Sequence, residues 1–164
     1  MNLRTYVRLR GEPAVYFFSI DAASCLGAIM ARTVFHLPFF RAGMRLEESG
    51  AEFRMTSVRR VQSGSPPARI AVSWRPRGSL HQPAAGSLEH FLLERYASFS
   101  PGPSGEFYRG PLLHSDWQVQ DADAELSVSS LITAAGLPEP EGAVCHFSPG
   151  VDTHVCPIQR VPVG

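Results

Sequence analysis

Residues 15–40, VYFFSIDAASCLGAIMARTVFHLPFF, contain a strand, a helix and a turn in direct succession, and their reading decides the fold. The apolar run from Ala14 to Ile20, rich in β-branched and aromatic side chains, suits a strand covered on both faces and placed centrally in a sheet. Asp21 then stands where an N-cap would, its carboxylate accepting from the free amides of a first helical turn. Ala22, Ala23, Ser24, Gly27, Ala28 and Ala31 make a thin helix able to lie close on a sheet, with Leu26, Ile29, Met30 and Thr33 as its broader contact. Arg32 falls in the last turn, where a cation answers the free carbonyls. Pro38 cannot continue the helix and biases Leu37 toward extended geometry, which predicts a turn before Phe39 and Phe40.

Upstream, Leu3, Thr5, Val7 and Leu9 alternate with Arg4, Tyr6, Arg8 and Arg10, which predicts a half-buried strand closed by a turn at Gly11-Glu12-Pro13. Downstream, three further alternating segments centre on Met44, Phe53 and Val72, separated by turns at Glu48-Ser49-Gly50 and Gly64-Ser65-Pro66-Pro67. Short strands with short turns indicate an antiparallel meander. Ser87 is the expected N-cap of a helix over residues 87–99, SLEHFLLERYASF, in which Arg95 is the polar member of an apolar stripe. A long strand is expected from Leu112 to Val128. Its apolar phase changes midway, which predicts a β-bulge near Asp121 of the kind that curls sheets into barrels. A short helix over residues 130–135 and a hairpin turning on Ser148-Pro149-Gly150 complete the chain. The fold class is therefore α+β: a curled antiparallel β-sheet or partial β-barrel with two to three short helices, one domain over residues 1–164.

Apolar residues make up 44% and charged residues 18% of the 164, as in globular proteins, which argues against disorder. Fifteen cations balance fifteen acids, so no net field favours nucleic acid or an anionic membrane. All fifteen cations are Arg; with no Lys, no side-chain amine is present to form a Schiff base. Cys25, Cys145 and Cys156 are an odd, sparse set without the pattern of a disulfide framework. No apolar run approaches the roughly 18 residues of a membrane span, and the N-terminus lacks a signal-peptide core. A cytoplasmic protein is expected.

Candidate chemistry lies on three segments. His114, Asp116, Gln118 and Gln120 recur at period two, so on an inward face they make a polar wall in which His114 acts as acid or base and Asp116 orients it; on an outward face they are solvated. Glu94 and Arg95 make a second candidate, where Arg95 clamps an anion or forms a structural ion pair. Asp21 and Arg32 flank the thin helix. Cys145, His146, His154 and Cys156 would gather on the last hairpin, but their spacing is not that of a zinc ribbon or finger, and no metal or other cofactor is assigned. Trp117 and Trp74 read as core or pocket lining.

Five segments, NLRTYVR (2–8), VYFFSIDA (15–22), ARTVFHLPFFRAGM (31–44), SLEHFLLERYASF (87–99) and LLHSDWQVQDADAEL (112–126), together resemble the YqjF-like proteins, the family labelled domain of unknown function 2071. That family is similar to the acetoacetate decarboxylase-like superfamily, whose fold is a curled sheet around a small-molecule cavity. The resemblance implies a small-molecule-binding protein, but one without Schiff-base decarboxylase activity, because the lysine which that chemistry uses is missing. Members of that family also carry strands before the NLRTYV strand, so the resemblance implies either that the sequence begins late or that this is a natural fragment with an exposed sheet edge to cover. On this reading Arg4, Tyr6, Arg32, Arg95, Asp116 and Trp117 bind a small organic anion, while His114 and Glu94 are the catalytic candidates. The alternative is a noncatalytic interaction domain that pairs, as a homo-oligomer, through the open edge.

Overall fold

The computed structural model describes residues 1–61 and 65–162, with side chains throughout except at residues 25–28. Gly64 of the expected turn, and the helix contacts expected of Leu26, Gly27 and Ala28, therefore lie outside what is described. The described residues form an open, eleven-stranded sheet with three short helices. Its centre is β2 (Glu12–Ala22), as the apolar run predicts. One edge of β2 pairs antiparallel with β1 (Asn2–Leu9) along its length. The other edge is shared. Val15 and Tyr16 pair in parallel with Ser98 and Phe99 of β6 (Ala97–Pro101), and Ile20 to Ala22 pair in parallel with Phe39 to Arg41 of β3 (Phe39–Ser49).

Two wings grow from this fork. The first adds β7 (Phe107–His114) to β6, and β7 in turn carries β10 (Thr153–Val155) and β11 (Gln159–Val161). The second is the expected meander, β3 with β4 (Glu52–Arg59) and β5 (Arg69–His81), extended by β8 (Val119–Ser129) and β9 (His146–Phe147). Curling stops short of a barrel: the terminal strands β9 and β10 are two and three residues long and sit on different wings, unpaired with one another among the described residues. They are accordingly not the two arms of a hairpin. β1 likewise pairs on one side only among the described residues.

Three further expectations are corrected. The strand predicted from Leu112 to Val128 is two strands, because β7 ends at His114 and residues 115–118 cross from one wing to the other before β8 begins. The irregularity expected near Asp121 is present: opposite it the pairing with β5 jumps from Arg77–Asp121 to His81–Val119, where the apolar phase changes. The helix predicted over 87–99 covers only α2 (Leu88–Leu93), capped as expected by the Ser87 hydroxyl accepting from the His90 amide at 3.1 Å. Ala97 to Ser100 are buried between β2 and β7, and that pairing outweighs the local helical pattern. The helix after β2, α1 (Cys25–Phe35), exists, but Ile29 and Met30 are 57% and 58% exposed, so they face solvent and not the sheet. α3 (Leu131–Ala134) ends at Gly136, whose φ of 73° is a left-handed conformation that glycine adopts without penalty. No helix among the described residues is long and apolar enough to cross a membrane.

Asp21 is no helix cap. It lies inside β2, 3% exposed, and its Oδ1 accepts from Arg59 Nε at 2.8 Å. Arg59 follows Phe53, Met55 and Ser57 on the inward face of β4, and its guanidinium lies 4.1 Å from the Phe40 ring centroid. The pair ties β2 to β4 across β3. A second ion pair joins Glu12, at the start of β2, to Arg109 of β7, with both carboxylate oxygens accepting from Nε at 2.8–2.9 Å and Oε1 also from Nη2 at 2.6 Å.

Two stability predictions follow from these pairs. Removing one partner of a buried ion pair strands the other charge at a cost of about 3–5 kcal/mol. Asp21→Ala should therefore lower the urea midpoint sharply, and Asp21→Ala with Arg59→Met should recover part of that loss; equal midpoints for wild type and Asp21→Ala would contradict the assignment. The Arg109 hydrogen bonds hold the Glu12 carboxyl below its usual range. Stability from this pair is then present above the ordinary carboxylate pKa and is lost as pH falls through the lowered value. Acid titration of Glu12→Gln should show a shallower loss than wild type.

Candidate functional site

The fork in β2 builds a cavity. Leu3 pairs with Ser19 and Arg4 with Phe17, so Phe18 is an extra residue on β2. Such a bulge reverses side-chain phase along the strand. Val15 and Phe17 on one side of it and Ile20 on the other all line one cavity of about 250 Å³. Cross-strand registers place Tyr6, Val15, Ser98 and Gly110 in one row across β1, β2, β6 and β7. A Cβ at Gly110 would lie 2.8 Å from Ser98 Oγ, so a larger residue there would displace the Ser98 side chain. More of the wall comes from Phe35 at the end of α1, from Leu37 after it, from Leu112, and from Val155.

Four of the residues singled out in the sequence enter this apolar space: Arg4, Arg95, His114 and Trp117. Arg4 projects from β1 on the same face as its neighbour Phe17. Its Nη2 donates to the Leu92 carbonyl at 3.2 Å, and the Tyr6 hydroxyl donates to the same oxygen at 2.9 Å. Tyr6 thus anchors the end of α2 and packs on Phe91, with ring centroids 5.0 Å apart. Arg95 leaves the helix where α2 gives way to β6. Its guanidinium lies 4.3 Å from the Phe91 centroid and 5.6 Å from that of Tyr6, and its Nη1 donates to the Glu94 carbonyl at 2.7 Å. Neither Arg4 nor Arg95 has a carboxylate within ion-pair distance among the described residues. Two buried donors on the cavity wall have no partner at all among those residues: Arg95 Nε and Trp117 Nε1.

His114 ends β7 with its Nδ1 2.9 Å from the Ser115 carbonyl and its Nε2 3.2 Å from the Arg95 carbonyl. A carbonyl accepts only from a protonated ring nitrogen, so a neutral ring donates to one of these two oxygens; the ring is stacked on Tyr96 at 4.5 Å. Glu94, Asp116 and Arg32 lie elsewhere. Glu94 and Asp116 share a separate groove of about 340 Å³, for which Trp117 is the partition from the cavity. There Glu94 Oε2 accepts from the Tyr96 hydroxyl at 2.5 Å, and this hydrogen bond pushes the Tyr96 phenol up to about 12. Asp116 is exposed and accepts from Gln82 Nε2 at 3.2 Å. Arg32 is exposed on α1, beside Tyr16 and His36 in a third depression. Gln118 and Gln120 do not share a strand with His114, so the four-residue polar wall does not form.

The sequence reading missed the bulge at Phe18, and with it the reason Arg4 points inward. It also missed Asp21–Arg59. The period-two series Phe53, Met55, Ser57, Arg59 carried that signal, since it puts a charge on an apolar face.

Residues 1–152 match the profile of a family described as "Uncharacterized conserved protein", domain of unknown function 2071. The chain is 34% identical over 161 residues to "Uncharacterized protein YqjF" of Bacillus subtilis (strain 168), a match covering 98% of this chain and 65% of that protein. Among solved structures it resembles "Enduracididine biosynthesis enzyme MppR complexed with pyruvate", with a TM-score of 0.57 at 12% identity, covering 94% of this chain and 61% of that one. The chain thus spans under two thirds of the length of each of these two proteins. The enzyme has the acetoacetate decarboxylase-like fold, and this chain shares it.

Proposed function

The chain belongs to the family of domain of unknown function 2071, and from that premise we propose that its cavity binds a small organic anion, a carboxylate with a short apolar body. The observation that carries this reading is that two guanidiniums, Arg4 and Arg95, have no carboxylate to neutralise them among the described residues, and that Arg95 Nε and Trp117 Nε1 are buried donors without acceptors among them. A buried donor left unpaired costs about 1–3 kcal/mol, more when it is charged. A carboxylate accepting from Arg95 Nε and Trp117 Nε1 removes both penalties and supplies the missing charge. The apolar body then lies against Phe17, Phe35, Leu37 and Leu112. At about 250 Å³ the cavity falls below the roughly 300–1,000 Å³ of drug-sized sites, so the ligand is small. The solved enzyme of the same fold is described as complexed with pyruvate, an anion of this class.

Without Lys, binding proceeds without a lysine Schiff base. On this reading His114 and Glu94 support the site and do not transfer protons. His114 closes the wall between two carbonyls, and Glu94 fixes Trp117, whose backbone amide lies 3.5 Å from Glu94 Oε1.

Calorimetric titration with pyruvate, butyrate and isovalerate, each beside its amide, tests the reading. Carboxylates should bind and amides should not. Hydrogen bonds to a charged group contribute about 1.5–3 kcal/mol, so Arg95→Gln should weaken binding at least tenfold, and Trp117→Phe should weaken it while keeping the ring. Absence of binding by every carboxylate, or equal binding by Arg95→Gln, would overturn it.

A further inference from the structure

Away from the cavity, four elements distant in sequence bring two imidazoles and two carboxylates together. Glu89 lies in the first turn of α2, His81 at the end of β5, Asp121 on β8 and His146 on β9. One oxygen of Glu89, Oε1, is 3.0 Å from His146 Nε2, and the other, Oε2, is 3.2 Å from His81 Nε2. One ligand atom from each of Glu89, Asp121 and His146 falls within 4.8 Å of the other two. The Asp121 carboxylate makes no hydrogen bond or ion pair with the described residues, although its charge acts on His81; its strand neighbour Arg77 pairs with Asp123 instead, Nε to Oδ2 at 3.1 Å.

Backbone features converge on the same place. Opposite β8 the register jumps from Arg77–Asp121 to His81–Val119, and Gly78 within that jump has φ 72°. A bulge of this kind re-aims the side chain that follows it, here His81. The two residue pairs of β9 are Asp121–His146 and Gln120–Phe147, so pairing on this wing ends with the imidazole beside the Asp121 carboxylate.

We infer that Glu89, Asp121 and His146 form a site for a first-row divalent cation such as Zn²⁺, with His81 as a positioning residue that donates to the second oxygen of Glu89. Imidazole and carboxylate together are the donor set of such ions, and three protein ligands leave a coordination position for water. At bond lengths of about 2.0–2.1 Å, tetrahedral ligand atoms stand about 3.3 Å apart, close to the 3.0 Å that already separates Glu89 from His146. Two carboxylates and a neutral imidazole balance the charge of the ion. A hydrogen bond from outside the coordination shell is what commonly orients a ligating carboxylate. Neither thiol belongs to the group: Cys145, although next to His146, is not among the mutually close ligand atoms, and β10, which carries His154 and leads to Cys156, is on the other wing. Bound metal would tie the N-terminal turn of α2 to the β8–β9 edge, while the chain leaving the other end of α2 presents Arg95 to the cavity.

The test is calorimetric titration of tag-free, chelator-treated protein with Zn²⁺, together with the visible spectrum of the Co²⁺ form. One equivalent should bind. His146→Ala and Asp121→Asn, each checked for native circular dichroism, should abolish that binding. His81→Gln should weaken it about tenfold at unchanged stoichiometry, as losses of outer-shell partners do. Cys145→Ser with Cys156→Ser should bind as wild type does, and the Co²⁺ spectrum should show no thiolate charge-transfer band. No binding at one equivalent, survival of binding in folded His146→Ala, or loss of binding in the cysteine variant would overturn the site. Wild-type affinity in His81→Gln would overturn its positioning role.

Discussion

At any one residue the edge of a β-strand can hydrogen-bond to only one neighbour, and β2 divides one edge between two. Val15 and Tyr16 are taken by β6, Ile20 to Ala22 by β3, and Phe17 to Ser19 lie between. Because both pairings are parallel and at different heights, the wings that continue from them cannot merge into one flat layer. The sheet stays open, and the space at the fork is filled incompletely by Phe17, Ile20 and Phe39, which leaves the cavity. The extra residue Phe18 turns side chains on both sides of the fork toward that space. Cavity and topology are thus one feature.

Charge placement separates structural arginines from the two in the cavity. Arg59 is buried with Asp21, and Arg109 is held by both oxygens of Glu12; each joins β2 to one wing. A charge taken from water needs a partner or a reason. Arg4 and Arg95 have carbonyls and aromatic faces for company but no counter-charge among the described residues. Aromatic faces contribute only about 0.5–2 kcal/mol each, which does not replace a carboxylate. An anion arriving from solvent completes the pattern the rest of the sheet already follows.

Local signals in the sequence announced what local forces decide. The apolar run at 14–20 is the central strand, the meander pairs as its alternation predicts, Ser87 caps a helix, and Gly136 closes another. Nonlocal pairing overrode the rest. Tyr96 to Phe99 carry helical spacing, yet Ala97 to Phe99 enter the ladder between β2 and β7; residues 112–128 read as one long strand but cross between wings at 115–118. Asp21 resembles a cap because its true partner, Arg59, is 38 residues away. Of the candidate site, Arg4, Arg95, His114 and Trp117 share the cavity; Glu94 and Asp116 fall behind the Trp117 partition, and Arg32 lies on the exposed helix. Period two placed side chains on a face, but only the fork decides which face encloses space.

The central claim is that the cavity's orphan donors belong to a carboxylate, and the indole of Trp117 reports on it directly. The chain has two tryptophans, and Trp74 lies on β5 stacked on Phe53 at 5.4 Å, outside the cavity lining. In a proton–nitrogen correlation spectrum the two indole N–H signals, assigned with Trp117→Phe, should respond unequally to a short carboxylate. The account predicts a saturable downfield shift of the Trp117 signal as it gains an anionic acceptor, with Trp74 unmoved. Saturable binding that leaves the Trp117 signal in place, or moves only Trp74, would contradict it.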